Sequence, residues 1–237
     1  SGLRELVAGN AFGAVVTVSA SGGGRIDLSS VTQVSGGNGD GQAVSFDVDG
    51  SGSVVDLSSL TDYHDYYDNG SHGWDQGLLR ASNGGVISSP SLKNLTNVLV
   101  SHWGGSINVS KVELMYGGGI NVTSGAIAYP SLMSLKDGAI SITDGTIGLA
   151  ALTTIDGTSL SAGGGRTISL PQVVSYKSLR GTSLQATQPG SSIVLSGLRE
   201  LVAGNAFGAV VTVSASGGGR IDLSSVTQVS GGNGDGQ

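Results

Sequence analysis

The segment 64–76 gathers the side chains of this 237-residue chain that are best suited to bind a ligand. Aromatic rings of this kind stack on sugars while carboxylates bond the sugar hydroxyl groups. Imidazoles and carboxylates together could instead bind a metal ion, although their spacing matches no standard zinc motif. In a third interpretation the segment is a corner loop whose rings pack over its own edge. The candidate residues are His64, Asp65, Tyr66, Tyr67, Asp68, His72 and Trp74.

A second candidate is a calcium site in the run that begins at Asp47. Asp47, Asp49 and Ser51 occupy alternate positions, and Gly52 stands where a calcium loop makes its tight turn. The match is partial, because Ser58 stands where such a loop needs a bidentate acidic residue. A glycine-rich turn with its aspartates facing water explains the same residues. Calcium is therefore the one cofactor that the sequence suggests.

A nine-residue pattern, here called a rung, recurs along the chain and must position these candidates. It reads apolar, any, apolar, small, any, apolar, any, any, apolar. The first position is held by Ile26, Val55, Ile87, Ile107, Ile127, Ile147, Ile168, Ile193 and Ile221. The ninth is held by Val34, Tyr63, Leu95, Met115, Leu135, Ile155, Tyr176, Leu201 and Val229. Three successive intervals are 20 residues long, which predicts a coil of about 20 residues with insertions elsewhere.

One bare coil, residues 120–139, predicts three short strands separated by three corners. Alternating apolar residues mark the strands, and residues 123–125, 130–131 and 136–138 mark the turns. A three-residue strand needs backbone partners above and below it, which stacked coils supply at a spacing of ~4.8 Å. The expected fold is all-β, a three-sided parallel β-helix (β-solenoid). We expect it to be right-handed because strand crossovers generally are.

Residues 196–237 repeat residues 1–42 without one difference, at an offset of 195 positions. The identity includes surface positions, which tolerate many residues, so a shared fold alone does not explain it. The eight intervals between successive rungs also add up to 195 residues. We therefore expect one continuous solenoid over residues 1–237, with a complete tandem unit in 1–195 and the start of the next in 196–237. Such a unit would advance ~38 Å along the axis and join its neighbours end to end.

The rungs bring two carboxylates together but no catalytic set. Asp27 and Asp56 stand at the second rung position of adjacent coils, where two stacked carboxylates could share a raised pKa. Two separately solvated aspartates are the alternative. The next coils place Ser88 and Asn108 at that position, so the row of acids ends. Because no further acid or base stands in register, we expect no enzymatic activity and assign no catalytic residue.

The composition narrows the range of partners. A net charge of −6 offers no basic surface for nucleic acid. No apolar run is long enough to span a bilayer. The absence of cysteine excludes disulfides and thiolate metal sites, and it leaves the cellular compartment open.

The rungs IDLSSVT (residues 26–32) and VDLSSLT (residues 55–61) resemble those of very long, repetitive bacterial extracellular proteins similar to filamentous haemagglutinin. The resemblance implies a location at the cell surface or outside the cell. It also implies a structural role in a fibre or adhesin, with the same protein as partner along the axis. The alternative is a β-helix that binds or cleaves polysaccharide, with surface glycans as ligands.

Overall fold

The computed structural model describes residues 2–9, 11, 13–37, 42–65, 76–204 and 209–231, and every regular element in them is a β-strand. The strands of each sheet pair in parallel with their neighbours. They follow one another along the chain in a repeating order of three faces, and each coil contributes a strand to each face, except that one coil has only a single bridge on its third face. The fold is a three-sided parallel β-solenoid, which confirms the predicted fold class. Its right-handed sense stays a prediction.

The first face, here called the long face, is one uninterrupted parallel sheet through all the described coils. Alternate side chains along each strand point inward, and in the inner coils they are buried. The inward residues stack from coil to coil: Phe46 lies on Leu79 and Val100 on Ile120, and none of the four is more than 1% exposed. The strands are Val15–Ala20, Ala43–Asp49, Gly77–Ser82, Val98–Trp103, Gly119–Ser124, Ala139–Ile142, Ser159–Ala162, Thr182–Thr187 and Val211–Ser216.

The second face, the isoleucine face, carries the first rung position at the centre of short strands. Ile26 pairs with Val55, Val55 with Ile87 and Ile87 with Ile107, as the rung pattern predicted. The β-branched side chains form an apolar ladder because parallel pairing puts equivalent residues in register. The strands are Arg25–Asp27, Val54–Asp56, Val86–Ser88, Ser106–Ile107, Ala126–Ala128, Thr146–Gly148, Thr167–Ser169, Ser192–Val194 and Arg220–Asp222.

The third face carries the ninth rung position. Leu95, Met115 and Leu135 pair in succession at intervals of 20 residues, which confirms the length of the bare coil. A single bridge from Ser134 to Thr154 continues the ladder where one coil has no full strand. The strands are Glu5–Val7, Gln33–Ser35, Asp62–His64, Asn94–Thr96, Leu114–Tyr116, Ser134–Lys136, Ser175–Ser178, Glu200–Ala203 and Gln228–Ser230.

The largest insertions leave the solenoid at one corner, between the third face and the long face. Segments 36–42, 65–76 and 204–210 each join a third-face strand to the long-face strand that follows it. In the coil that contains Tyr116, only two residues span this corner. The described strands that flank these segments thus end and begin along one edge of the solenoid.

Two buried tyrosines hold this insertion corner together. The hydroxyl of Tyr63 donates to the carbonyl of Val44 and accepts the N–H of Leu78 at 3.0 Å. Val44 belongs to the previous long-face strand and Leu78 to the next, and their ladder pairing begins only one residue beyond Val44. The hydroxyl is therefore inserted between a carbonyl and an amide that would otherwise face each other across the sheet.

Tyr176 repeats this arrangement five coils further along. Its hydroxyl bonds the carbonyl of Thr158 at 3.0 Å and the hydroxyl of Thr182 at 2.7 Å. Thr158 stands two positions before the inward Leu160, just as Val44 stands two positions before the inward Phe46. The ninth rung position, which reads as simply apolar in the sequence, thus also carries a polar function at these two coils.

Candidate functional site

The structure describes two of the seven residues proposed for ligand binding in the segment 64–76. His64 ends a third-face strand and is exposed. Asp65 follows it and is completely buried, and its backbone N–H donates to Thr96 at 2.8 Å. Tyr66, Tyr67, Asp68, His72 and Trp74 lie outside the described residues. Sugar or metal binding by this segment stays a prediction.

Asp65 is packed into the insertion corner against the coil below it. A Cβ on Gly36 would lie 1.7 Å from the Asp65 Oδ1, so only glycine fits beneath the carboxylate. Burial, followed by the charge of Asp65, raises the pKa of Tyr63. The charge of the Asp65 carboxylate therefore favours the protonated form of the Tyr63 hydroxyl, and the Asp65 side chain does not face solvent.

The two aspartates proposed for calcium point outward from the long face and are bonded to the next coil. Asp47 accepts from the Arg80 Nε at 2.8 Å and from a second guanidinium nitrogen. The Asp49 Oδ1 accepts from the Ser82 hydroxyl and the Asn83 amide, both at 2.7 Å. These bonds, led by the one from Ser82, lower the pKa of Asp49. Ser51 lies in the turn that follows. Calcium binding by Asp47, Asp49 and Ser51 stays a prediction.

The stacked aspartates of the isoleucine face form turns. The Asp27 Oδ1 accepts the backbone N–H of Ser29 at 2.9 Å, and Asp56 does the same for Ser58 at 2.9 Å. The side-chain and backbone bonds from Ser29 lower the pKa of Asp27. A raised pKa, one of the two interpretations of this pair, is therefore wrong for Asp27, because hydrogen bonding to the charged form outweighs the opposing effect of burial.

A shallow groove of about 360 Å³ crosses three coils of the third face. Leu114 and Tyr116 stand in its centre and are 48% and 38% exposed. Asn94, Ser134 and Lys136 contribute polar groups around them. Burial, followed by the charge of Asp137, raises the pKa of Tyr116. The groove offers an aromatic ring and an aliphatic side chain beside these polar groups.

A second exposed aromatic residue, Trp103, lies on the long face and was not a candidate from the sequence. It is 46% exposed, and the guanidinium carbon of Arg80 lies 6.0 Å from its ring centroid. Strand alternation could have found it, because Trp103 follows Leu99 and Ser101 on the outward side of its strand. However, a tryptophan within an apolar strand is usually assigned to the buried core when only the sequence is known.

Within the described residues, no three His, Cys, Asp or Glu side chains come together in a way that could hold a metal ion. The same part of the chain contains no helix that is long and apolar enough to cross a membrane. No family model, curated protein or solved structure matches this chain.

Proposed function

We propose that this chain is a structural tandem-repeat unit of a long extracellular fibre or surface adhesin. Its own copies would be its partners along the solenoid axis, in one chain or joined end to end. This function needs neither a cofactor nor a catalytic residue. It rests on how the second copy of the repeated segment stacks on the first unit.

The observation that carries the proposal is the pairing of the duplicate coil. Residues 196–204 and 209–231 continue the solenoid on all three faces, always in parallel. On the isoleucine face, Ile221 pairs with Ile193, and on the third face Leu201 pairs with Tyr176. The second copy thus stacks on the eighth coil as any internal coil stacks on its neighbour. A new unit begins without a linker or a change of register.

Burial in the two copies supports the same proposal. Val34 is 1% exposed, whereas Val229, its counterpart 195 residues later, is 72% exposed. The two valines have the same sequence context, and only Val34 has a further coil stacked over it, through Tyr63. A coil with the sequence of residues 43–64 would cover Val229 in the same way. In a solenoid each such interface adds a similar increment of stability, which favours long arrays.

Several aspartates of the described coils make structural contacts, which also supports a scaffold role. Asp27, Asp56 and Asp222 accept backbone N–H groups at the same corner. Asp144 pairs with Arg166, and Asp47 with Arg80. These contacts fix turns or link successive coils, and none of them brings an acid and a base together over a cleft.

Electron microscopy of the native protein tests the proposed assembly. Filaments with an axial repeat near ~38 Å, the advance of eight coils, are expected. Discrete globular particles would contradict the proposal. Antibody labelling of intact cells tests the location separately. Label on unbroken cells is expected, and label that appears only after lysis would contradict an extracellular role.

A further inference from the structure

Trp103 and its neighbours form a polar platform with one exposed aromatic ring on the long face. Trp103 pairs with Ser82 in the coil below and with Ser124 in the coil above, so small side chains flank the indole on both sides. The outward side chains of the adjoining column include Arg80 and Asn121. The indole is therefore partly exposed and has hydrogen-bonding groups beside it.

Arg80 is fixed in place over one face of this ring. Asp47 bonds two of its guanidinium nitrogens, and the guanidinium carbon lies 6.0 Å from the Trp103 ring centroid. The bonds from Asp47 come first among the causes that raise the pKa of Arg80. A side chain held in this way loses little conformational freedom when a ligand binds, so the platform is preorganised.

The charges of the platform favour a neutral ligand. Arg80 is compensated by Asp47, and Asp49 adds a second carboxylate nearby. An acidic ligand would be repelled by this net negative charge, and a purely apolar ligand would leave the polar groups without compensation. A neutral polysaccharide fits both conditions, because its rings offer C–H faces to an indole and hydroxyl groups to carboxylates and guanidinium.

We propose that Asp47, Asp49, Arg80 and Trp103 form a binding site for neutral polysaccharide. A pyranose ring stacks on the face of the Trp103 indole that Arg80 does not cover. Arg80 donates to the sugar oxygens, and Asp49 accepts from the sugar hydroxyls. The site differs from the loop at 64–76 in its face and its residues.

The first test is an array of neutral and acidic polysaccharides, followed by titration of the best neutral glycan. The Trp74→Phe variant serves as the parent protein, because it leaves Trp103 as the only tryptophan of the chain. Saturable binding to a neutral glycan with a change in tryptophan emission is expected. Binding to no neutral glycan, or to acidic glycans or proteins alone, would overturn the proposal.

Matched variants then assign the binding to this face. Trp103→Val, which keeps a residue suited to strands, should weaken binding at least about tenfold, whereas Trp103→Tyr should retain most of it. Tyr116→Ala removes an exposed aromatic residue from the third face of the same coil and should leave binding unchanged. Loss of binding in Tyr116→Ala with retention in Trp103→Val would overturn the assignment. Far-UV circular dichroism checks that each variant is folded.

If the unit repeats along a fibre, as the proposed function holds, the platform repeats with it. One such platform per 195 residues would recur every ~38 Å along a rod. A chain of two complete units should bind a long polysaccharide more tightly than one unit by avidity, by a factor on the order of 100. Equal affinity would refute this multivalent arrangement. Binding by the single unit does not require a filament, so the platform and the rod can fail independently.

Discussion

Replacing each of three buried tyrosines by phenylalanine should change stability in different directions, although the chemical change is the same. Tyr63 and Tyr176 hold the insertion corner through their hydroxyls. Tyr129 lies at the third rung position, is fully buried and has no hydrogen-bond partner for its hydroxyl among the described residues. Phenylalanine keeps the ring and the packing in each case, so the difference isolates the hydroxyl.

The largest loss is expected for Tyr63→Phe. Without the hydroxyl, the carbonyl of Val44 and the amide of Leu78 each lose the hydrogen bond that they make with Tyr63. Leaving buried polar groups without partners costs about 1–3 kcal/mol, so a loss of about 2–3 kcal/mol is expected. Tyr176→Phe should cost less, about 1–2 kcal/mol, because the Thr182 hydroxyl can rotate toward another partner.

Tyr129→Phe should have the opposite sign. A buried hydroxyl without a partner costs about 1–3 kcal/mol relative to water. The small void left by the lost oxygen offsets part of that gain, so a net stabilisation of about 1 kcal/mol is expected. Burial raises the pKa of Tyr129, so its hydroxyl stays protonated and the comparison holds at neutral pH.

Equilibrium unfolding in urea, followed by far-UV circular dichroism, measures the three effects. The midpoint should fall most for Tyr63→Phe, fall less for Tyr176→Phe and rise for Tyr129→Phe. The slopes of the transitions should agree, so that midpoints can be compared. If Tyr129→Phe lowered the midpoint as much as Tyr63→Phe, the account of these hydroxyls would be refuted.

Three further predictions test the ladder, the corners and the charges. Ile87→Ala should destabilise the protein by about 2–5 kcal/mol, whereas the outward Ser88→Ala should change the urea midpoint little; equal losses would mean that the faces are assigned wrongly. Gly85→Ala would put a Cβ 2.5 Å from a backbone oxygen and should destabilise the protein by about 1–3 kcal/mol. In Gly163→Ala the nearest atom lies 3.6 Å from the added Cβ, so the temperature of thermal unfolding should stay close to that of the parent protein. Because the pKa of Asp27 is lowered from 3.8 in the folded protein, its contribution to stability is present above that pH and lost below it. Urea midpoints measured across pH should decline below about pH 4, and less so in Asp27→Asn; an identical decline in both proteins would contradict this role for Asp27.

For two of the three faces, the sequence predicts both the strands and the register in which they pair. The rung pattern spans the isoleucine face, its corner and the third face, and both ladders pair as the pattern predicts. The long face was predicted less well, because its strands vary in length and their inward positions include His102 and Ala81 beside Val100. Periodicity finds a position that repeats one residue type, and it misses a face whose residues change from coil to coil.

The candidate sites were harder to predict, because residue type does not reveal direction or partners. Asp65 was proposed as a ligand-binding carboxylate, yet its side chain is buried against Gly36. Asp27 was considered as part of an acidic pair, and it forms a turn with Ser29. Trp103, which is exposed, was not considered at all. The Asp27 turn is local, but the rung pattern does not specify which partner a side chain takes. The surroundings of Asp65 and Trp103 depend on other coils, at Gly36 and at Ser82 and Ser124, which a local pattern does not contain.

The central claim is that identical units continue one solenoid without interruption. Small-angle X-ray scattering of chains with one, two and three complete 195-residue units tests it most directly. The account predicts a constant cross-sectional radius and a length that grows by ~38 Å with each added unit. A cross-section that widens with each unit, or separate compact bodies joined by flexible segments, would contradict it.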